Sequence, residues 1–311
     1  MMNSTIAIVF PGQGSQSLGM LSELATGHSQ VVDTFEQASD VLGYDLWQLV
    51  QDGPGDELNE TDKTQPAMLA AGVAVWRVWQ DAGGAVPAML AGHSLGEYTA
   101  LVCAGALDFQ EAISLVEERG RCMQSAVPAG TGAMAAILGL DDVAVAVVCE
   151  QAAAGDVVSP VNYNSPGQVV IAGHVGAVER AIVLAKEAGA RRAVQLPVSV
   201  PSHCALMRPA AEQFADRLNK AVIKTPSIKV IQNVDATLHD DPDTIRINLD
   251  RQLYSPVQWV SSVQAMGKEG VTRIIEAGPG KVLTGLCKRI DKSIAAAAVF
   301  DESSLTSALD Q

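Results

Sequence analysis

Short apolar runs alternate along the chain with longer stretches of helical period. Thr5–Phe10 (Thr-Ile-Ala-Ile-Val-Phe) is a β-rich run stopped by Pro11-Gly12, as expected of a strand buried on both faces. Stretches 29–51 and 65–82 predict helices. The second opens after Gln65-Pro66, carries Met68, Leu69, Val73, Val75, Trp76 and Trp79, and stops at Gly83-Gly84. Ala88–Ala91 is another short apolar run, leading through a tight turn into a helix. Asp108, with Glu111 three residues on, predicts a capping box opening the next helix. The apolar stripe of that helix is Phe109, Ala112, Ile113, Val116, Gly120 and Met123, and Arg119 falls on it.

A unit with its own rhythm follows. Gly132–Leu138, Val157–Tyr163, Val169–Ala172 and Arg192–Val198 read as strands, and Asp141–Ala153 and Gly176–Ala188 as helices. This βαββαβ order is that of a split-βαβ, ferredoxin-like fold. It predicts a small domain, residues 128–198, inserted between the halves 1–127 and 199–311 of a larger one, with junctions near Pro128 and Pro197. The large domain resumes with a helix over 205–221, a strand at 228–233, helices over 242–269, a strand at Val271–Glu276 and a helix at Lys281–Ile290. The last ten residues read as weakly ordered. Strands separated by helices predict an α/β fold on a parallel sheet.

Composition narrows the function classes. The 311 residues are 48% hydrophobic but only 4% aromatic, so the core is aliphatic and alanine-rich. A net charge of −14 argues against nucleic acid as the main partner. Cys103, Cys122, Cys149, Cys204 and Cys287 are odd in number and widely spaced, so neither a disulfide framework nor a metal site is expected, and a reducing cytoplasm is. The first nine residues lack the pattern of a signal peptide, and no apolar run approaches the roughly 20 residues of a membrane helix.

The candidate chemistry centres on Gly92-His93-Ser94-Leu95-Gly96. Gly-x-Ser-x-Gly between a strand and a helix is the pattern of a nucleophile elbow, in which small neighbours let a sharp turn expose a serine hydroxyl and the helix amides face a developing oxyanion. A plain strand–helix turn is the competing reading. The loop Pro11–Gln16 is glycine-rich but lacks the lysine and spacing of a nucleotide P-loop. Arg119 on an apolar stripe is either a structural ion-pair residue or a receptor for a carboxylate, which its planar fork suits. Among five histidines, His28, His174 and His239 lie in polar contexts, and His93 is expected to point away from its neighbour Ser94. His203, next to the second junction, is the best general base by elimination and position.

Taken together, Phe10–Gln16, Gly92–Glu97, Arg119, Asn162–Gln168, Pro201-Ser202-His203, Arg251–Tyr254 and Glu276–Gly280 resemble the malonyl-CoA:acyl carrier protein transacylases of type II fatty acid synthesis. The resemblance spans nearly the whole chain. It implies an α/β-hydrolase-like large domain with a ferredoxin-like insert and the active site between them. It implies Ser94 as nucleophile, His203 as base held by the backbone carbonyl of Gln252, and an oxyanion hole at the amides of Gln13 and Leu95. It also implies Arg119 as receptor for the malonyl carboxylate and Asn162 on the substrate path. The implied substrates are malonyl-CoA and holo acyl carrier protein, with no metal or cofactor, in a monomer. An acidic carrier protein meeting an acidic enzyme needs a local basic patch, for which Arg191, Arg192, Lys281, Lys288 and Arg289 are the candidates. Three readings compete: a serine thioesterase or hydrolase, a non-catalytic carrier-docking module, and a transacylase of polyketide synthesis or malonate decarboxylation.

Overall fold

The computed structural model describes residues 5–198 and 200–310. Its strands are β1 (Ile6–Phe10), β2 (Met89–Gly92), β3 (Gly132–Leu138), β4 (Val158–Ser165), β5 (Gln168–His174), β6 (Arg192–Gln195), β7 (Lys229–Ile231), β8 (Arg273–Ala277) and β9 (Ala295–Val299). They form two sheets. The first is five-stranded and parallel, in the order β7-β2-β1-β8-β9. Its central strand β1 is nearly all apolar and its last four residues are buried, because helices cover both faces. The second sheet is antiparallel, in the order β4-β5-β3-β6.

The core follows the strand period. Along β3, Ala133, Ala135 and Ile137 face the helices Asp142–Ala153 and Val175–Glu187. Met134, between them, faces the other way, onto Val161, Val170 and Cys204. That second face looks toward the large sheet. Val257, just before the helix Trp259–Lys268, exchanges backbone hydrogen bonds with β4: its amide donates to Val161 O at 2.8 Å, and the Tyr163 amide donates to Val257 O at 3.1 Å.

Several elements depart from the sequence expectations. The helix expected over 29–51 is two, Gln30–Leu42 and Leu46–Asp52, broken where Gly43 takes φ 76° and Asp45 caps the second. A short helix, Gly55–Leu58, follows, and the helix expected over 65–82 begins at Thr61, before Gln65-Pro66, and holds Pro66 inside it. β6 stops at Gln195, short of Val198. The chain end is ordered through residue 309. β9 adds an edge strand, and Glu302–Leu309 is a helix opened by a reciprocal capping box of Asp301 and Ser304. The expected box at Asp108 is half formed: Asp108 accepts from the Glu111 amide, while the Glu111 side chain pairs with Arg217.

No helix among the described residues is long and apolar enough to cross a membrane. No metal-binding cluster is found among them, and the five cysteines are free.

Candidate active site

The strands of the parallel sheet end on one side, where β1 runs into Pro11–Gln16, β2 into His93–Leu95 and β7 into Gln232-Asn233. Sites in open parallel sheets form at this carboxyl edge. Here a cavity of about 200 Å³ is lined by Gln13, Ser94, Leu95, Arg119, Asn162 and His203, among others. A more open groove beside Trp76, Phe109 and Lys224 contains none of these residues.

Ser94 sits at the apex of the turn with φ 51°, a left-handed conformation costly for a residue with a side chain. The two flanking glycines are what permits it. A Cβ on Gly92 would stand 1.9 Å from the carbonyl of Gly96, and one on Gly96 would stand 2.1 Å from Phe10 O. Asn233 braces the turn from the next strand: it accepts from the Ser94 amide at 2.7 Å and donates to Gly92 O at 2.7 Å. The helix Gly96–Cys103 follows at once.

The Ser94 hydroxyl lies 2.7 Å from His203 Nε2. His203 Nδ1 lies 2.7 Å from the backbone oxygen of Gln252. A carbonyl can only accept, so Nδ1 carries the proton and Nε2 is free to accept from serine. His203 is buried and also takes a left-handed φ of 66°. Burial and the nearby Arg119 charge depress its pKa to about 3, so the imidazole is neutral at physiological pH.

Arg119 is 1% exposed, yet its hydrogen-bond partners are neutral. It donates to Gln65 Oε1 at 2.7 Å and to Gln252 Oε1 at 2.9 Å, and a long 3.5 Å contact reaches Ser94 Oγ. Its Nε is buried with no partner among the described residues. The Tyr98 ring lies 5.4 Å from the guanidinium carbon, and no carboxylate among the described residues is within ion-pair distance, so this desolvated guanidinium on a cavity is suited to meet an anion. Asn162 Oδ1 is likewise buried without a partner, on the same cavity.

Gln13 and Leu95 also line this cavity. Within the turn, Ser94, Gly96, Glu97 and Tyr98 donate to other groups, and the Leu95 amide has no such bond among the described residues. The loop before Gln13 presses on the turn, since a Cβ on Gly12 would stand 2.4 Å from His93 O. His93 does turn away from the Ser94 hydroxyl, as expected, but it is not idle. Its Nε2 lies 2.8 Å from Asn164 Oδ1 on β4, and its ring lies 5.7 Å from the Trp259 ring, tilted at 56° to it.

Sequence reasoning missed Gln65, Asn233 and the side chain of Gln252. The polar pair Gln232-Asn233 directly after a buried strand was the available signal. For Gln65, the signal was an uncharged polar residue beside an otherwise apolar stripe. The five basic candidates for docking lie outside the cavity. Arg191, Arg192, Lys281, Lys288 and Arg289 are all exposed. Arg289 donates to Gln168 on β5 at 3.1 Å, and Gln168 pairs through Leu138 with Arg192, so two clusters distant in sequence share one end of the small sheet.

A serine hydrogen-bonded to a neutral histidine, with a buried arginine on the same cavity, is an arrangement suited to acyl transfer. Residues 7–302 match the acyl transferase domain family, and the chain belongs to that family. Its relatives define the kind more closely. It is 59% identical, over 98% of each chain, to the malonyl CoA-acyl carrier protein transacylase of Escherichia coli (strain K12). The solved structure of an acyl carrier protein S-malonyltransferase from Vibrio cholerae is similar at TM-score 0.96 and 62% identity, over 98% of this chain and 99% of that one. A malonyl-transacylase in complex with its type II PKS acyl-carrier protein gives TM-score 0.97 at 58% identity, again over 98% and 99%.

Proposed function

We propose that the protein transfers the malonyl group from malonyl-CoA to the phosphopantetheine thiol of an acyl carrier protein. The buried Arg119 with no anionic partner, beside Ser94, carries this reading, because it asks for an acyl group that ends in a carboxylate. Ser94 attacks the thioester carbonyl as His203 Nε2 takes its proton. The oxyanion forms against the amides of Gln13 and Leu95, a placement worth roughly 10²–10³ in rate per donor. On collapse the C–S bond breaks, CoA leaves with the proton from His203, and malonyl remains as an ester on Ser94. The carrier thiol then gives its proton to His203 and attacks that ester, and Ser94 leaves with the proton. Asn162 lines the path of the pantetheine arm.

The same reading treats 1–127 with 199–311 as an α/β-hydrolase-like domain and 128–198 as a ferredoxin-like insert. The order β4-β5-β3-β6 on two helices supports the second description. We place the enzyme in the cytoplasm as a monomer acting without a cofactor.

The competing thioesterase reading differs in where the acyl group goes. The acyl-enzyme should discharge to the carrier thiol far faster than to water. Faster hydrolysis than thiol transfer would contradict the reading. In the same assay, rising salt should raise KM for the carrier protein and leave KM for malonyl-CoA nearly unchanged, because Arg191, Arg192, Lys281, Lys288 and Arg289 serve as the docking patch. Equal salt effects on both substrates would remove the patch from the account.

A further inference from the structure

Glu97, three residues past Ser94, is fully buried, and no basic side chain among the described residues lies within ion-pair distance of it. Three N–H donors converge on its carboxylate instead. Gln232 Nε2 donates to Oε1 at 3.0 Å, and the Asn233 amide and Gln252 Nε2 each donate to Oε2 at 2.9 Å. These contacts have no place in the transfer steps above.

What they hold is Gln252. Its amide nitrogen spends both hydrogens, one on Glu97 and one on Ser94 O at 3.0 Å. The amide is thereby oriented, with its oxygen turned to Arg119. The backbone oxygen of the same residue holds His203. Gln252 thus touches the nucleophile's backbone, the base and the carboxylate receptor, and Glu97 is the acceptor that sets its orientation.

We infer that Glu97 is a positioning residue through which proton concentration governs this site: its carboxylate fixes Gln252, and protonation loosens the hold on Arg119 and His203 together. The inference rests on the proposed roles of Ser94, His203 and Arg119. A proton on Oε1 would face the Gln232 amide, donor against donor, and Gln232 cannot simply turn over because its oxygen accepts from Asn248 at 3.0 Å. The remaining oxygen becomes a neutral acceptor and loses the charge-assisted part of its bonds to Asn233 and Gln252.

The carboxyl is poised for this. Burial pushes it up to about 7, against the pull of its three hydrogen bonds. Other charged or titratable groups around it are Arg119 beyond Gln252, Tyr98 on its own helix, Asp235 past β7, and His93 and His203. Burial holds both histidines below their ordinary range, so neither gains charge in the neutral region. Asp235 is paired with His239 at 2.8 Å. The active form is the ionised one, so activity should be full above the carboxyl's titration and fall as pH drops through it.

The test is the single-turnover rate of Ser94 acylation by malonyl-CoA between about pH 5.5 and 8.5, a range that brackets the ordinary histidine value and lies above that of glutamate. The wild-type rate should fall toward acid with a midpoint near neutrality. Glu97→Gln imitates the protonated form. It should run about tenfold to hundredfold slower at the alkaline end, the cost of a weakened buried hydrogen-bond set, and show no limb. Glu97→Asp should keep a limb. The substrate is the same in each enzyme, so its own titration cancels in the comparison. A Glu97→Gln enzyme that keeps the wild-type limb, or the wild-type rate, overturns the inference. Should that variant not fold, the side-chain amide signals of Gln252 in the wild type answer the question. They should titrate with the midpoint of the rate, and signals that stay fixed through the limb overturn it. Failure to form any Ser94 ester at any pH would instead reject the reading of the site.

Discussion

Replacing His203 by alanine should lower malonyl transfer by roughly three to six orders of magnitude, the range seen when a serine enzyme loses its base. The loss should fall on kcat with little change in KM, because the imidazole touches the reacting serine, whereas Arg119 holds the proposed substrate carboxylate. With a pKa of about 3, His203 needs no deprotonation before it can accept the serine proton. Burial lowers its basicity most, and the close charge of Arg119 lowers it further. A carboxylate bound to Arg119 would offset that charge, while burial, the larger cause, still holds His203 below its ordinary range. The check is steady-state kinetics with malonyl-CoA. A His203→Ala enzyme within tenfold of wild type would remove the residue from the chemistry.

The second large effect is one of selectivity. Arg119→Ala should cut kcat/KM for malonyl-CoA by roughly 10²–10³, the consequence of removing one partner of a desolvated ion pair. Transfer from acetyl-CoA should change far less. In the wild type an uncharged acyl group leaves the guanidinium with Gln65, Gln252 and the Tyr98 ring but no anion. The variant also strands the side-chain oxygens of those two glutamines, so some stability is lost with either substrate. The readout is therefore the ratio of the two specificities. Equal losses for malonyl and acetyl groups would reduce Arg119 to a structural residue.

The parts of this fold legible in the sequence were those whose pattern is local. The apolar runs of β1 and β2, the Gly-x-Ser-x-Gly turn and the βαββαβ rhythm each stand out without reference to anything distant. Arg119 was legible because a charge on an apolar stripe is expensive and asks for a reason. What remained hidden depends on register between distant segments. Gln252 was expected to contribute only a carbonyl, yet its side chain links Ser94, Glu97 and Arg119, a role set by where residues 94, 97, 119 and 252 meet in space. Asn233 braces the elbow only because β7 lies beside β2 in the sheet. The C-terminal strand and helix were missed for a different reason. β9 is alanine-rich and lies at the sheet edge, so it lacks the β-branched signature of a strand. The helix after it depends on an Asp–Ser capping box, a weaker cue than Ser or Thr followed by Glu.

The central claim is that Ser94 carries the malonyl group between its two thiols. Mass measurement of the intact protein after brief exposure to malonyl-CoA, with no carrier protein present, tests it most directly. The protein should gain the mass of one malonyl group, lose it on addition of holo acyl carrier protein, and gain nothing when Ser94 is alanine. An adduct that persists in Ser94→Ala, or its absence from the wild type, would contradict the account.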